Sequence, residues 1–412
     1  MTATYRELLP HLFRLEYTKM TAVLCRHFGL KHMEIAEDIV SETFLKATET
    51  WGLNGVPEHP TAWLYTVAKN KTKDYLKRMA IFETQVKEAI KTTDLTPEPD
   101  FDFTPKAITD SQLAMIFAVC NPANSKEAQI CLALQILCGF SVEGIAAAFL
   151  TKKETIKKRL LRARAQLRDD NFQIKVLEAE TIASRLDTVL RTLYLLFNEG
   201  YFSASSNHLI RKDLCSEAMR LALILTESTL ANTTEANALL ALMCFQSSRL
   251  DARENDNGEA ILYEQQDKSL WSQELIQKGN YYMVNACSGS DISKYHLEAG
   301  IAYWHTTPTD AHKWEHILQL YNQLILIEYS PMTALNRTFA FAKVYGYEQG
   351  IKEAEKLQLM EHDYYYALLA HLWADTDAEK AVGYYHKAIE LTKSVSTQKT
   401  LQKAIEQLLA PR

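Results

Sequence analysis

Phe140 to Arg168 reads FSVEGIAAAFLTKKETIKKRLLRARAQLR, and the pattern of this stretch decides the fold. Ser141 can cap a short helix that runs to Phe149, and Thr151 with Glu154 forms the S/T-x-x-E capping box that opens a second helix. Two helices joined by so tight a turn predict a helix-turn-helix unit. In the second helix Ile156, Leu160, Ala163 and Leu167 make the inner stripe. Lys153, Lys157, Lys158, Arg159 and Arg162 face outward near its start, where a helix reaches the bases and phosphates of DNA. A charge run by itself is often no more than a solvated face. This one holds eight Lys and Arg against one Glu between Lys152 and Arg168, and it follows another basic ridge upstream. DNA binding is therefore the expectation.

That upstream ridge belongs to residues 5–80, which read as helices broken once by WGLNGVPEHP, Trp51 to Pro60. Its two Gly and two Pro make it a loop. Before it, Ile35, Ile39, Val40, Thr43, Phe44 and Ala47 recur at helical spacing, which leaves Glu34, Glu37, Asp38, Ser41 and Glu42 on an acidic outer face. After it, Leu64, Val67, Ala68 and Tyr75 turn inward while Lys69, Lys73 and Lys77 form a basic ridge at four-residue steps. A linker follows at 81–108. Its centre, DLTPEPDFDFTP (Asp94 to Pro105), has four acids, three prolines and no Lys or Arg, so it is not expected to form a stable helix. Residues 109–170 hold the two-helix unit.

Residues 175–412 are a series of amphipathic helices. Ile182, Leu186, Val189, Leu190, Leu193, Leu196 and Phe197 share one face of the clearest of them, with Gly200 as its stop. TALNRTFAFAKVYGYEQGIKEAEKL and YYYALLAHLWADTDAEKAVGYYHKAIEL read as successive helical hairpins. Ala340, Ala342, Ala354, Ala367, Ala370, Ala381 and Ala388 recur where such helices pack closely, which predicts a tetratricopeptide-like array that takes a protein or peptide ligand.

The whole composition agrees with an all-α chain of two or three domains: 412 residues, 47% hydrophobic, 23% charged, and only 13 Gly and 10 Pro. No run of apolar residues is long enough to span a membrane, and the N-terminus lacks the pattern of a secretion signal. Cys25, Cys120, Cys131, Cys138, Cys215, Cys244 and Cys287 include no CxxC pair, which predicts reduced, buried thiols and a cytoplasmic setting. The net charge of −6 divides unevenly: residues 1–170 hold 23 basic and 21 acidic side chains, and the remainder holds 22 and 30. The front is the half suited to nucleic acid.

AEDIVSETFLKA, GVPEHPTAWLYTVAKNKTKDYLKR and CGFSVEGIAAAFLTKKETIKKRLLRARAQL together resemble regions 2 and 4 of the extracytoplasmic-function sigma factors. LRTLYLLFNEGYFSASS with EQQDKSLWSQELIQKG resembles the start of the extension in the group of that family with a C-terminal tetratricopeptide-like domain. The resemblance implies a non-enzymatic promoter-recognition subunit without a cofactor. Its partners would be bacterial RNA polymerase core, through the β′ clamp helices and the β flap, and promoter DNA. Glu37, Asp38, Ser41, Glu42 and Leu45 match the helix that docks on the β′ clamp helices. Asn54, His59, Tyr65, Lys69, Asn70 and Lys73 match the surface that melts and reads the minus-ten element, by capturing an unstacked base while lysines hold the backbone. Thr151, Lys152, Lys153, Glu154, Thr155, Lys157, Lys158, Arg159 and Arg162 match the reader of the minus-thirty-five element. Gly144 stands where that family more often has Glu, so weaker capping is expected there. The same comparison gives the acidic linker a path toward the polymerase active centre.

Three other readings compete. A stand-alone operator-binding regulator needs the two-helix unit but leaves the acidic face unexplained. A scaffold would rest on the repeats alone. His312 to His316 formally fits the HxxEH pattern of inverted zinc proteases, yet Trp314, Ile317, Leu318 and Tyr321 set it on an ordinary amphipathic helix. Asn198, Glu199 and Tyr201 read as a helix end, with a polar site for a ligand or partner as the alternative, and Tyr281, Tyr282, Tyr364, Tyr365 and Tyr366 as packing between helices rather than a cofactor box.

Overall fold

Gly29, at φ +86°, turns the chain sharply enough to end one helix and open the next, so residues 5–80 break at two places rather than one. The computed structural model describes residues 5–87, 102–149, 151–170, 172, 174–202, 208–253, 261, 263–307, 310–392 and 394–410. Among them are eighteen α-helices and no strand, the all-α class read from the composition. The chain divides into two compact units, residues 1–196 with 227–231, and residues 197–226 with 232–412.

In unit 1, α1 (Tyr5–Phe28), α2 (Met33–Asn54) and α3 (Pro60–Lys87) bury Met20, Leu24, Val40, Phe44, Trp51, Leu64 and Ala68 between them. The loop read from Trp51 to Pro60 is shorter than expected. Helix α2 continues to Asn54 because Trp51 is buried, its ring edge-on to Trp63 at 5.4 Å, and only five residues then separate α2 from α3. Helix α3 likewise runs past residue 80 to Lys87, and α4 (Pro105–Val119) begins inside the stretch read as linker, its first turn held by Thr104 Oγ1 accepting from Ala107 N at 3.3 Å. Of DLTPEPDFDFTP, residues 94–101 lie outside the described residues.

Helix α4 packs on α1, and with α5 (Lys126–Leu132), a π-helical turn (Ala133–Leu137), α6 (Val142–Ala148) and α7 (Lys153–Asp169) it encloses a second apolar centre of Met115, Phe117, Leu132, Leu134 and Ile145. α8 (Ala179–Tyr201) follows and runs one residue past its expected stop at Gly200. The division between units falls within α8, after the boundary read at 170 to 175. Arg185 explains why: it donates to Phe117 O at 3.2 Å and pairs with Asp170 at 2.9 Å, while Thr192 donates to Gln129 at 3.0 Å.

Unit 2 contains α9 (His208–Glu227), α10 (Thr234–Ser247), α11 (Gln273–Ala286), α12 (Lys294–Thr306), α13 (Lys313–Ile327), α14 (Pro331–Tyr345), α15 (Tyr347–Leu357), α16 (Asp363–Trp373), α17 (Ala378–Leu391) and α18 (Val395–Leu409). From α12 onward each helix packs on the next, and α14 also packs on α16. Small residues permit the approach: Ala340, Ala342, Ala354, Ala370, Ala381 and Ala388 are buried, and a Cβ at Gly350 would collide with Ala342. Two expectations need correction here. Cys287 is exposed while the other six cysteines are buried, and Tyr281 and Tyr364 are 64% and 50% exposed rather than packed between helices. Among the described residues no helix is long and apolar enough to cross a membrane.

Candidate functional site

The inner stripe of α7 orients everything charged on that helix. Ile156, Leu160, Ala163 and Leu167 are all buried, so the intervening cations are turned away from the second apolar centre. Ser141 holds the preceding helix, its Oγ accepting from Gly144 N at 3.0 Å, and the glycine does not prevent that cap. The capping box expected from Thr151 and Glu154 does not form. The N-cap is Lys152 with no side-chain cap bond, because α7 starts one residue later than the box requires, and Glu154 turns instead to Lys157 at 3.0 Å.

The cations at the start of α7 differ in their surroundings. Lys153 is paired with Glu143 from α6, whose carboxyl is held below its ordinary range by that bond. Arg159 is half-buried and donates to Cys131 Sγ at 3.7 Å. Lys152, Lys158 and Arg162 are exposed and have no acidic partner among the described residues, and Thr155 is exposed beside them. Lys158, Arg159 and Arg162 line a groove of about 510 Å³ whose other wall is Asn124 and Ser125.

Farther along, the same helix meets the acidic face of α2. Arg164 makes a two-pronged bond to Glu37, at 2.9 and 2.7 Å, with both side chains about four-fifths buried, and Arg168 reaches Glu34 at 2.7 Å. Burial alone would favour the neutral guanidinium; the hydrogen bonds and charge of Glu37 outweigh it and raise the Arg164 pKa. Glu42 is bound by Lys71 at 2.7 Å, and Ser41 shares a side-chain hydrogen bond with Tyr17. The acidic face is thus not wholly open, as its sequence led one to expect. Asp38 and Leu45 remain exposed, Leu45 to 59%. Arg164 and Arg168 were missed as site residues, and no local pattern marks them, since their acidic partners lie 127 and 134 residues earlier in the chain.

Asn54, His59 and Asn70 are exposed, and Lys69 and Lys73 are half-buried. His59 and Tyr65 border a cavity of about 650 Å³ closed on one side by Phe103, Pro105 and Ile108. The Tyr65 ring lies 5.0 Å from that of Phe103, and its hydroxyl donates to Glu16 at 2.6 Å. Burial and the Glu16 bond both push the phenol above its ordinary pKa. Glu16 is a further residue that sequence reasoning did not single out.

The rival constellations fare differently. His316 is stacked on Trp304 at 4.4 Å and His312 is an exposed partner of Glu315, so the HxxEH histidines do not converge. Glu199 is half-buried, and burial raises its carboxyl pKa.

Residues 12–80 match sigma-70 region 2, and residues 185–287 match a family of unknown function, DUF6596. The chain is 31% identical over 407 residues to the uncharacterized protein R00370 of Rhizobium meliloti (strain 1021), an alignment that covers 94% of this chain and 92% of that protein. No solved structure matches the chain. A sigma-70 region 2 implies binding to RNA polymerase core and to promoters in transcription initiation, a role without catalysis.

Proposed function

The chain belongs to the family of the Rhizobium meliloti protein R00370 and carries a sigma-70 region 2, and on that footing we propose that it is an alternative sigma factor. It directs bacterial RNA polymerase to specific promoters. The observation that carries this reading is that the matched helices of residues 12–80 share one compact unit with a second DNA-suited element, the open cations at the start of α7. α6 and α7 then act as a helix-turn-helix region 4.

Each part has a task. Glu37, Asp38, Ser41, Glu42 and Leu45 dock on the β′ clamp helices, where an acidic face around an apolar anchor is chemically suitable. The cavity between His59, Tyr65 and Phe103 takes an unstacked base of the minus-ten element, while Lys69 and Lys73 follow the backbone and Asn54 and Asn70 contact the strand. Lys152, Lys158 and Arg162 engage phosphates around the minus-thirty-five element and Thr155 faces the bases. Glu37 cannot serve the clamp and Arg164 at once, so the ion pair between α2 and α7 opens when polymerase binds. Unit 2 works as a tetratricopeptide-like regulatory domain.

The test is to add the purified chain to core polymerase and map transcription starts on fragmented genomic DNA of the source organism. Starts that depend on the chain and share two spaced elements are the expected result. Absence of both starts and core binding with a folded chain would overturn the reading. The occupied state of Glu37 favours one alternative, a regulator that binds its operator without polymerase, and the same experiment separates the two.

A further inference from the structure

Three cations of unit 2 crowd the same two rings, and none of them is paired with a carboxylate among the described residues. The Arg249 guanidinium lies 4.9 Å from the centre of the Tyr263 ring and 5.7 Å from that of Trp271. Lys313 Nζ is 5.2 Å from the Tyr263 ring and donates to its hydroxyl at 2.9 Å, and Lys268 Nζ is 5.9 Å from Trp271. Among the described residues none of the three is paired with a carboxylate, whereas nearby Lys343 is bound by Glu264 at 2.8 Å.

The polar atoms around these cations are also incomplete. Trp271 is 6% exposed, and among the described residues its Nε1–H has no acceptor, Arg249 Nε–H has none either, and His305 Nδ1 is without a partner. The Tyr263 hydroxyl donates to His305 O at 2.6 Å, and the two rings sit 4.8 Å apart, which fixes both at the site. Cation–π contacts spread positive charge but supply no countercharge. Arg249 and Lys313 are half-buried and Lys268 is exposed, so the first two gain most from a countercharge, and buried N–H groups ordinarily have acceptors. One oxyanion would supply both deficits.

We propose that Arg249, Lys268, Lys313, Tyr263, Trp271 and His305 form a binding site for an anionic ligand presenting a carboxylate or phosphate group. The site uses unit 2 alone and stands whether or not unit 1 acts with polymerase. The pKa directions agree with a site that lacks its anion. Burial, then Lys268 and Arg249, hold the Lys313 ammonium down to about 8, and burial with Arg249 and Lys313 holds His305 down to about 3, so its ring is neutral at pH 7. A neutral His305 adds no positive charge, and its ring can still offer one N–H bond.

The test follows thermal unfolding of the full chain at fixed ionic strength, with chloride replaced stepwise by inorganic phosphate or, separately, by an acetylated triglutamate peptide. A saturable rise in Tm with either probe is expected, and the probe that acts identifies the oxyanion as phosphate or carboxylate. Lys313→Gln should raise the Tm in chloride alone, by relieving repulsion, and weaken the apparent affinity for the probe by about tenfold or more. Lys268→Gln at an exposed position provides the same affinity test should Lys313→Gln fail to fold. Lys278→Gln, which disrupts only the pair with Glu274, should leave the response intact. No saturable rise with either probe, or an equal rise in the Lys313 and Lys268 variants, overturns the proposal.

Discussion

The two ends of the cationic stretch from Lys152 to Arg168 meet opposite fates. In the first half Lys152, Lys158 and Arg162 stand open to solvent; in the second, Arg164 and Arg168 are committed to Glu37 and Glu34. What separates them is not propensity or composition but the neighbour: the acidic face of α2 reaches only the second half. A charge run read from sequence is therefore two surfaces, one available to a polyanion and one that closes unit 1 on itself.

The largest expected effect breaks the open half. Replacing Lys152, Lys158 and Arg162 together by Ala should weaken binding to promoter fragments in the presence of core polymerase on the order of a hundredfold. It should also lower the slope of log affinity against log salt by about 2 to 3. Fluorescence anisotropy across a salt series measures both, and an unchanged slope would remove α7 from the DNA.

The committed half should respond in stability. Arg164→Ala leaves Glu37, about four-fifths buried, without its two-pronged partner and should cost about 2 kcal/mol in denaturant unfolding of unit 1. Arg168→Ala breaks an exposed pair and should cost no more than about 0.5 kcal/mol. The same Arg164 variant frees the acidic face and should bind core polymerase more tightly. Ser141→Ala, which loses an observed cap, should cost about 1 kcal/mol, whereas Thr151→Ala should cost less than about 0.5 because its box does not form.

Lys313 extends the contrast to a cation that has no carboxylate partner among the described residues. Its depressed ammonium means that, between about 8 and the ordinary lysine value, the unfolded chain holds a proton the folded chain does not. Stability contributed there is complete at high pH and falls as pH drops toward about 8. Lys313→Gln should flatten that part of the Tm-versus-pH curve, the smallest of these effects.

The helices themselves were legible, because a buried stripe repeats every turn: all four residues assigned inward on α7 are buried, and so are five of the six assigned on α2, Ile35 being half-buried. Element ends were less so. Trp51 draws α2 four residues into a stretch rich in Gly and Pro, since burial of that ring outweighs the local preference for a loop. The capping pattern at Thr151 fails for a matter of one residue in the helix start. Pairings distant in sequence were illegible: Arg164 and Glu37 are 127 residues apart, and no local spacing links them. The site around Lys313 was hidden for the same reason, its residues coming from a loop and three helix ends between positions 249 and 313.

Polymerase as the partner that opens the α2–α7 ion pair is the central proposal, and one measurement reaches it directly: binding of the full chain to a mapped promoter fragment, with and without core polymerase, at one fixed salt concentration. Sequence-specific binding that arises only when core is present is the predicted result. Equal, specific affinity of the chain alone would contradict it and identify a regulator that works without polymerase.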